Sequence, residues 1–230
     1  MDHSYIDRNV ADIRARIDAA AKESGREGQV LLLAAIKSAD VDQIKYIHEK
    51  LGINDVGENR VQQLLERYDA IKDDTLRVHF IGTLQTNKVK YIIDKVCMIH
   101  SLDSLKLARE IDKQAKKAGV IMDVLVEINC GEEENKSGIM PSEAEEFCKA
   151  LAEFDAINLR GFMTMAPICE KKEEYYKFFS ETVELVLDIW EKKLHNIERP
   201  IISMGMSDSF EQAIACGRTM LRIGRSFFVK

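Results

Sequence analysis

The chain has 230 residues, of which 46% are hydrophobic, and carries a formal net charge of −6 with a pI near 5.5. This apolar content suits one large core, and the scattered prolines mark no linker, so we expect a single domain over residues 1–230. The acidic balance and dispersed lysine pairs exclude a basic nucleic-acid-binding surface. The polar amino terminus and the lack of a long apolar window exclude a signal or membrane segment, so we expect a cytoplasmic protein.

The first predicted element is a helix over residues 4–23, in which apolar side chains recur every three or four positions. An apolar run, VLLLAAIK at residues 30–37, then predicts a strand that is buried on both faces. Asp40 is expected to cap the next helix, which ends at Gly52. The chain therefore opens with a helix, a strand and a second helix.

Short apolar runs alternate with amphipathic segments through the rest of the chain. The predicted strands cover residues 53–56, 78–81, 96–99, 122–128, 159–165, 200–204 and 220–223, and the predicted helices cover 61–71, 89–93, 105–118, 142–154, 175–195 and 209–215. With the first run, this makes eight strands. Strict alternation favours parallel strands joined by right-handed crossovers, so the pattern predicts an α/β fold, a single (β/α)8 TIM-type barrel. A doubly wound open sheet is the alternative.

Lys37 is the most informative residue, because it is charged and ends an otherwise apolar strand. A lysine at the carboxyl end of such a strand projects into whatever site lies there. Removal of water from its ammonium group favours the free amine, which attacks carbonyl groups. The placement therefore predicts Schiff-base chemistry. The alternative is a surface lysine whose ammonium group stays in water.

Two further segments on the same predicted rim have the composition of an anion site. The carboxyl ends of the strands form the active face of such a barrel. SMGMS at residues 203–207 follows the seventh strand, and RIGR at residues 222–225 ends the eighth. Gly205 and Gly224 leave backbone N–H groups open, and loops at these places often bind phosphate. The alternatives are that the glycines form tight turns and that Arg222 makes a surface ion pair.

A lysine beside an anion site describes a pocket for an aldehyde that also carries a phosphate group. Strands one and eight become neighbours when a barrel closes, which brings Lys37 to the two loops. Pyridoxal phosphate is such a ligand, because a lysine holds it covalently and a phosphate site holds it electrostatically. Arg222 would then face its pyridine nitrogen and keep that nitrogen unprotonated.

No metal site is predicted. Cys97 and His100 are three residues apart in a strand, which places their side chains on opposite faces. The acidic loop GEEENKSG at residues 131–138 lacks the spacing of an EF-hand.

Long polar motifs across nearly the whole chain resemble those of the pyridoxal phosphate homeostasis proteins, the YggS/PROSC-like family, which is similar to the barrel half of bacterial alanine racemase. The matching segments are LLLAAIK (31–37), GENRVQQL (57–64), HFIGTLQTNKVK (79–90), HSLDSLKLA (100–108), VLVEINCGEEENKSGI (124–139), LRGFMTM (159–165) and SMGMSDSFEQAIACGRTMLRIG (203–224). The resemblance implies the fold of the alanine racemase N-terminal domain.

The resemblance also implies roles for individual residues. Lys37 would form the internal aldimine with pyridoxal 5'-phosphate. Ser203 and the backbone at Gly224 and Arg225 would hold the phosphate, and Arg222 would lie near the ring nitrogen. Arg225 stands where the family usually has threonine. The expected cofactor-binding residues are Lys37, Asn59, Ser203, Gly205, Arg222, Gly224 and Arg225.

Members of this family are regarded as binders and distributors of the cofactor. We therefore expect a monomeric protein that carries pyridoxal phosphate, takes part in vitamin B6 homeostasis without catalytic turnover and hands the cofactor to apo-enzymes. Racemisation needs a second acid/base group on the opposite face of the cofactor. Alanine racemase takes that group from an additional β-domain, whereas this chain stops at Lys230. A pyridoxal phosphate-dependent amino-acid racemase or decarboxylase and a Schiff-base aldolase are the alternatives.

Overall fold

Eight parallel strands pair in chain order and close into a barrel, so the predicted TIM-type barrel is confirmed and the open sheet is excluded. The computed structural model describes residues 2–195, 197–217 and 220–230. Each strand overlaps one of the predicted apolar runs. The strands are β1 (Leu31–Ala35), β2 (Asp55–Glu58), β3 (Arg77–Phe80), β4 (Met98–Leu102), β5 (Met122–Ile128), β6 (Ile157–Thr164), β7 (Ile201–Ser203) and β8 (Met220–Ile223).

The helices surround the barrel, and several have the predicted bounds. They are α1 (Ser4–Glu23), α2 (Val41–Glu49), α3 (Val61–Ile71), α4 (Leu105–Ala118), α5 (Ala144–Leu151), α6 (Glu174–Glu191), α7 (Phe210–Cys216) and α8 (Arg225–Phe228). Asp40 caps α2 as predicted, because its carboxylate accepts from the amide of Gln43 at 2.8 Å and the Gln43 side chain accepts from the amide of Asp40.

Three short helical elements differ from the prediction, and one of them is a 3₁₀ helix, Pro141–Glu143, that precedes α5. The segment predicted as a helix over residues 89–93 is a 3₁₀ helix, Thr86–Tyr91. Helix α8 was not predicted. Elements this short have too few turns for the apolar period to reveal a helix or to separate the two helix types.

The barrel closes between β1 and β8, where Leu33 pairs with Arg222 and Ala34 pairs with Ile223. Helix α1 packs against α7 and α8. The side-chain amide of Asn9, on α1, donates to the carbonyl oxygen of Val229 at 2.8 Å. The first helix therefore holds the last element of the chain, directly after the strand that carries Arg222.

Apolar side chains form two layers. The outer layer lies between the strands and the helices, and the interior layer lies inside the barrel. Alternation along each strand sends neighbouring residues to opposite layers, so Ala34 belongs to the outer layer while Leu33 and Ala35 face the interior. The interior clusters contain Leu33, Ala35, Ile81 and Met220, and Met98, Leu125 and Met163.

Neither a membrane-spanning helix nor a metal-binding cluster occurs in the part of the chain that the structure describes. The helices there are too short or too polar to cross a bilayer. The described residues also include no group of three or more His, Cys, Asp or Glu side chains that could hold a metal ion.

Candidate functional site

Lys37 lies in the turn that follows β1, at the carboxyl-end rim of the barrel. The sheet continues one residue beyond β1, because the amide of Ile36 donates to the carbonyl oxygen of Gly57 at 3.0 Å. If the alternation that turns Leu33 and Ala35 inward continued past the strand, Lys37 would lie on the interior side of the rim. The residue is exposed, so the expected desolvation of its amine is wrong. A turn at the end of the strand leaves the side chain open to solvent.

A buried ion pair joins the loops that follow β1 and β2. Glu58, on β2, and Arg67, on α3, form this pair, and the Glu58 side chain is completely buried. Glu58 Oε1 also accepts a hydrogen bond from the amide of Asn59 at 2.7 Å. Arg67 Nη1 donates to the carbonyl oxygen of Ala39, two residues after Lys37, at 2.9 Å. The pair therefore holds both loops in place, and no pattern in the sequence indicated it.

Asn59 lies on the same side of the rim as Lys37. Gly57, two residues earlier, faces the interior, since a Cβ there would lie 2.5 Å from the side chain of Leu33. A Cβ on Gly82 would lie 2.2 Å from the carbonyl oxygen of Asn59, so the next loop also packs closely against it. Asn59 Oδ1 is buried and has no hydrogen-bond partner among the described residues. A buried acceptor of this kind is typical of a site that a ligand or water completes.

Two glycines allow close packing at the ends of β7 and β8. Gly205 has a φ of +84°, and a Cβ there would lie 2.7 Å from Ala213. A Cβ on Gly224 would lie 2.7 Å from the carbonyl oxygen of Ala35. Gly224 therefore lies against the end of β1, and the exposed Arg225 follows it. Residues 218 and 219 of the motif at 203–224 lie outside the described residues.

Arg222 is buried in the barrel, with 5% exposure. Its Nη1 donates to Ser203 Oγ at 2.8 Å, and its Nη2 donates to the carbonyl oxygen of Thr164 at 3.0 Å. Burial lowers the pKa of Arg222 to about 10, although the charge of Glu127 opposes this shift. Burial likewise raises the pKa of Glu127, against a hydrogen bond from Ser137. The alternative of a surface ion pair for Arg222 is therefore wrong.

The hydroxyl of Ser203 lies inside the barrel between Arg222 and His100, whose Nδ1 is 3.3 Å away. His100 Nε2 lies 3.0 Å from His79 Nδ1, and His79 Nε2 lies 2.9 Å from Asp55 Oδ1. This cluster was not predicted from the sequence. The sequence did contain a signal, because each of two successive predicted strands has a histidine beside apolar residues, His79 in VHF and His100 in IHS. Ser203 stays a predicted phosphate ligand, but its hydroxyl already has two partners.

The chain matches known proteins over nearly its full length. The family model of the alanine racemase N-terminal domain matches residues 8–229. The pyridoxal phosphate homeostasis protein of Aquifex aeolicus (strain VF5) is 42% identical over 214 residues, which cover 93% of this chain and 92% of that protein.

Two solved structures share the fold. PipY of Synechococcus elongatus PCC7942, solved with PLP bound, has a TM-score of 0.84 at 24% identity, and the match covers 97% of this chain and 100% of PipY. Alanine racemase of Clostridium difficile 630 has a TM-score of 0.72 at 18% identity, and the match covers 99% of this chain and 57% of the racemase. From the family match and the 42% identity, the chain belongs to the alanine racemase N-terminal domain family and, within it, to the pyridoxal phosphate homeostasis proteins.

Proposed function

We propose that this protein binds pyridoxal phosphate at the carboxyl-end rim, linked to Lys37, and acts as a carrier in vitamin B6 homeostasis. The pairing of β1 with β8 carries this proposal, because it brings the turn of Lys37 next to Gly224 and Arg225. An amine and an anion site at neighbouring strand ends match the aldehyde and the phosphate of one molecule. The name of the Aquifex relative and the PLP bound to PipY support the same ligand.

The donors and acceptors at the rim fit this ligand. Among the described residues, the buried guanidinium of Arg222 donates to two neutral acceptors, which leaves further N–H groups for another partner. Asn59 Oδ1 is a buried acceptor without a partner among the described residues. At Gly205 and Gly224, backbone stands where a side chain would collide with its neighbours. Bound pyridoxal phosphate supplies an aldehyde for the covalent link and a phosphate anion.

Ser207 suits the phosphate better than Ser203 does. The hydroxyl of Ser203 is buried between Arg222 and His100. Ser207 lies four residues further along, half-buried in the loop that precedes α7. We therefore propose Ser207, beside the predicted Ser203, as a hydroxyl contact for the phosphate, together with backbone N–H groups after β8.

The state of Arg222 bears on how strongly the bound cofactor could withdraw electrons. With a pKa of about 10, Arg222 stays charged near neutral pH and would donate a hydrogen bond to the ring nitrogen of the cofactor without giving up its proton. An unprotonated pyridine ring is a weaker electron sink than a protonated one, which fits a carrier without excluding an enzyme, because arginine also partners this nitrogen in enzymes that use the cofactor. The role also implies a cytoplasmic monomer that passes its cofactor to apo-enzymes.

The covalent link is tested by loading the protein with pyridoxal phosphate, reducing it with borohydride and locating the adduct by peptide mass spectrometry. We expect the adduct on Lys37 and a visible absorbance band that Lys37→Ala abolishes. Lys45→Ala is the matched control, because Lys45 is an exposed lysine on the next helix, and it should keep the band. An adduct on another lysine, or no uptake of the cofactor, contradicts the proposal.

Carrier and enzyme are separated by incubating the loaded protein with single L-amino acids. We expect no change in chirality and no keto acid beyond one equivalent. Transfer is measured by reactivation of an apo-enzyme that depends on pyridoxal phosphate. Sustained turnover of any amino acid would contradict the carrier function and favour the alternative of a racemase or decarboxylase.

A further inference from the structure

A line of polar side chains, called here the interior chain, crosses the barrel from Arg222 to Asp55. Its contacts are Arg222 Nη1 to Ser203 Oγ (2.8 Å), Ser203 Oγ to His100 Nδ1 (3.3 Å), His100 Nε2 to His79 Nδ1 (3.0 Å) and His79 Nε2 to Asp55 Oδ1 (2.9 Å). The three middle side chains belong to residues that are at most 3% exposed. The line begins on β8, next to the rim, and ends at the first residue of β2.

With both imidazoles neutral, the two ends of the interior chain determine the direction of every hydrogen bond. A guanidinium only donates and a carboxylate only accepts. Asp55 therefore accepts from His79 Nε2–H, and His79 Nδ1 accepts from His100 Nε2–H. His100 Nδ1 then accepts the hydroxyl proton of Ser203, which leaves the Ser203 oxygen free to accept from Arg222.

The surroundings favour the neutral state of His100. Burial is the largest cause that lowers its pKa well below the usual value, and the positive charge of Arg222, or of His79 when that ring is protonated, acts in the same direction. At the other end, burial opposes ionisation of Asp55, but hydrogen bonds from His79 and Arg77 lower its pKa overall. Asp55 is thus an ionised acceptor at one end of the interior chain, and Arg222 is a permanent donor at the other. Together they favour one direction for all the hydrogen bonds between them.

We propose that His100 and His79 are positioning residues of the cofactor site, which act through Ser203 to hold the guanidinium of Arg222. This inference rests on the proposed function. Because the hydroxyl group of Ser203 donates its hydrogen bond to Nδ1 of His100, the Ser203 oxygen has a lone pair free to accept from Nη1 of Arg222. The carbonyl oxygen of Thr164 takes Nη2, so acceptors from two strands orient the planar group. The remaining N–H groups would then be available to the cofactor, since no ion pair of Arg222 occurs among the described residues.

The proton arrangement is tested on the cofactor-free protein, by two-bond 1H–15N correlation spectra of histidine-labelled protein. Variants of His79 and His100 assign the two rings. We expect both rings to be neutral, with the proton on Nε2 and none on Nδ1. A doubly protonated His79, with His100 protonated at Nδ1, would reverse the hydrogen bonds and overturn the arrangement.

The positioning role is tested by comparing His100→Asn with His100→Gln. The Asn amide oxygen reaches the position of Nδ1 and keeps an acceptor for Ser203, whereas the Gln amide reaches the position of Nε2 and leaves Ser203 without one. We expect the Kd for pyridoxal phosphate to rise roughly three- to tenfold in His100→Gln and to stay within about twofold in His100→Asn. Equal changes in the two variants would mean that His100 only fills space, and would overturn the role.

Ser203→Ala provides a second measurement if either His100 variant does not fold. It removes one hydroxyl group, and we expect the same rise in Kd as for His100→Gln. An unchanged Kd in a folded Ser203→Ala protein overturns the role. If the wild-type protein takes up no pyridoxal phosphate, the proposed function fails and the positioning role fails with it. The spectra of the cofactor-free protein still decide the interior chain separately.

Discussion

The outer layer and the interior of this barrel are built from different interactions. In the outer layer, helices such as α1 and α4 bury one apolar face against the strands. In the interior, small apolar clusters lie beside the interior chain. Apolar burial has no preferred direction, whereas each hydrogen bond needs one donor and one acceptor at a set distance. The outer layer should therefore tolerate the exchange of one apolar side chain for another of similar volume. The interior chain should not tolerate exchange of its polar side chains, even at similar volume.

The difference also concerns how far apart the partners lie in sequence. An apolar helix face is complete within one segment of about a dozen residues. His100 and Ser203 are 103 positions apart, and His79 and His100 are 21 positions apart. Contacts of the second kind exist only after the barrel has closed.

The largest expected effect is at Glu58, a charged residue that the outer layer buries. Glu58→Gln leaves the buried guanidinium of Arg67 without its counter-charge, so we expect a loss of about 3–5 kcal/mol in the free energy of unfolding, measured with urea. Asp69→Asn is the control, on helix α3, which also carries Arg67. The ion pair of Asp69 with Lys72 is exposed, so its loss should not change the free energy of unfolding measurably. An unchanged urea midpoint for Glu58→Gln would mean that the buried pair does not form.

The next effect compares two adjacent leucines on α3. Leu64 is completely buried in the outer layer, and Leu65 is 40% exposed. Leu64→Ala should lower the free energy of unfolding by about 2–5 kcal/mol, because it removes buried methyl groups and leaves a cavity. Leu65→Ala makes the same chemical change in the same helix and should cost far less. Similar losses in the two variants would contradict this account, because alanine favours the helix at both positions and only Leu64 is fully buried.

The smallest effect is the pH dependence that His100 brings. The unfolded chain protonates His100 below about pH 6.5, whereas the folded protein, in which its pKa lies well below that value, does not. The unfolded state then binds more protons, so stability rises with pH across this window and falls on acidification, by up to about 1.4 kcal/mol per pH unit. Thermal unfolding between pH 5 and 7 should show a shallower slope for His100→Asn. Equal slopes would mean that His100 titrates normally in the folded protein.

Much of the architecture was predictable because it depends on local patterns. The bounds of α1, α3 and α4 follow from apolar periodicity, and the cap at Asp40 follows from a side chain and an amide only three residues apart. Alternation of the elements was enough to predict the closed barrel. Closure then placed the ends of β1 and β8 side by side, as expected.

The details of the site were less predictable. Lys37 is exposed although it follows an apolar strand, because the chain turns directly after Ile36. The hydroxyl of Ser203, predicted to meet a phosphate, has its partners inside the barrel. Glu58 belongs to a motif that was recognised, yet its role depends on Arg67, which the motif does not include.

The order of residues was thus sufficient for the eight-stranded barrel, its apolar outer layer and the rim on which Lys37, Asn59 and Arg222 were expected. Those properties follow from periodicities of two and 3.6 residues and from the way parallel strands connect. Folding in three dimensions was needed to assign the partners of the buried polar groups. A donor does not identify its acceptor until distant strands lie side by side, and inside this barrel that adjacency joins Arg222 to Asp55 through Ser203 and two histidines.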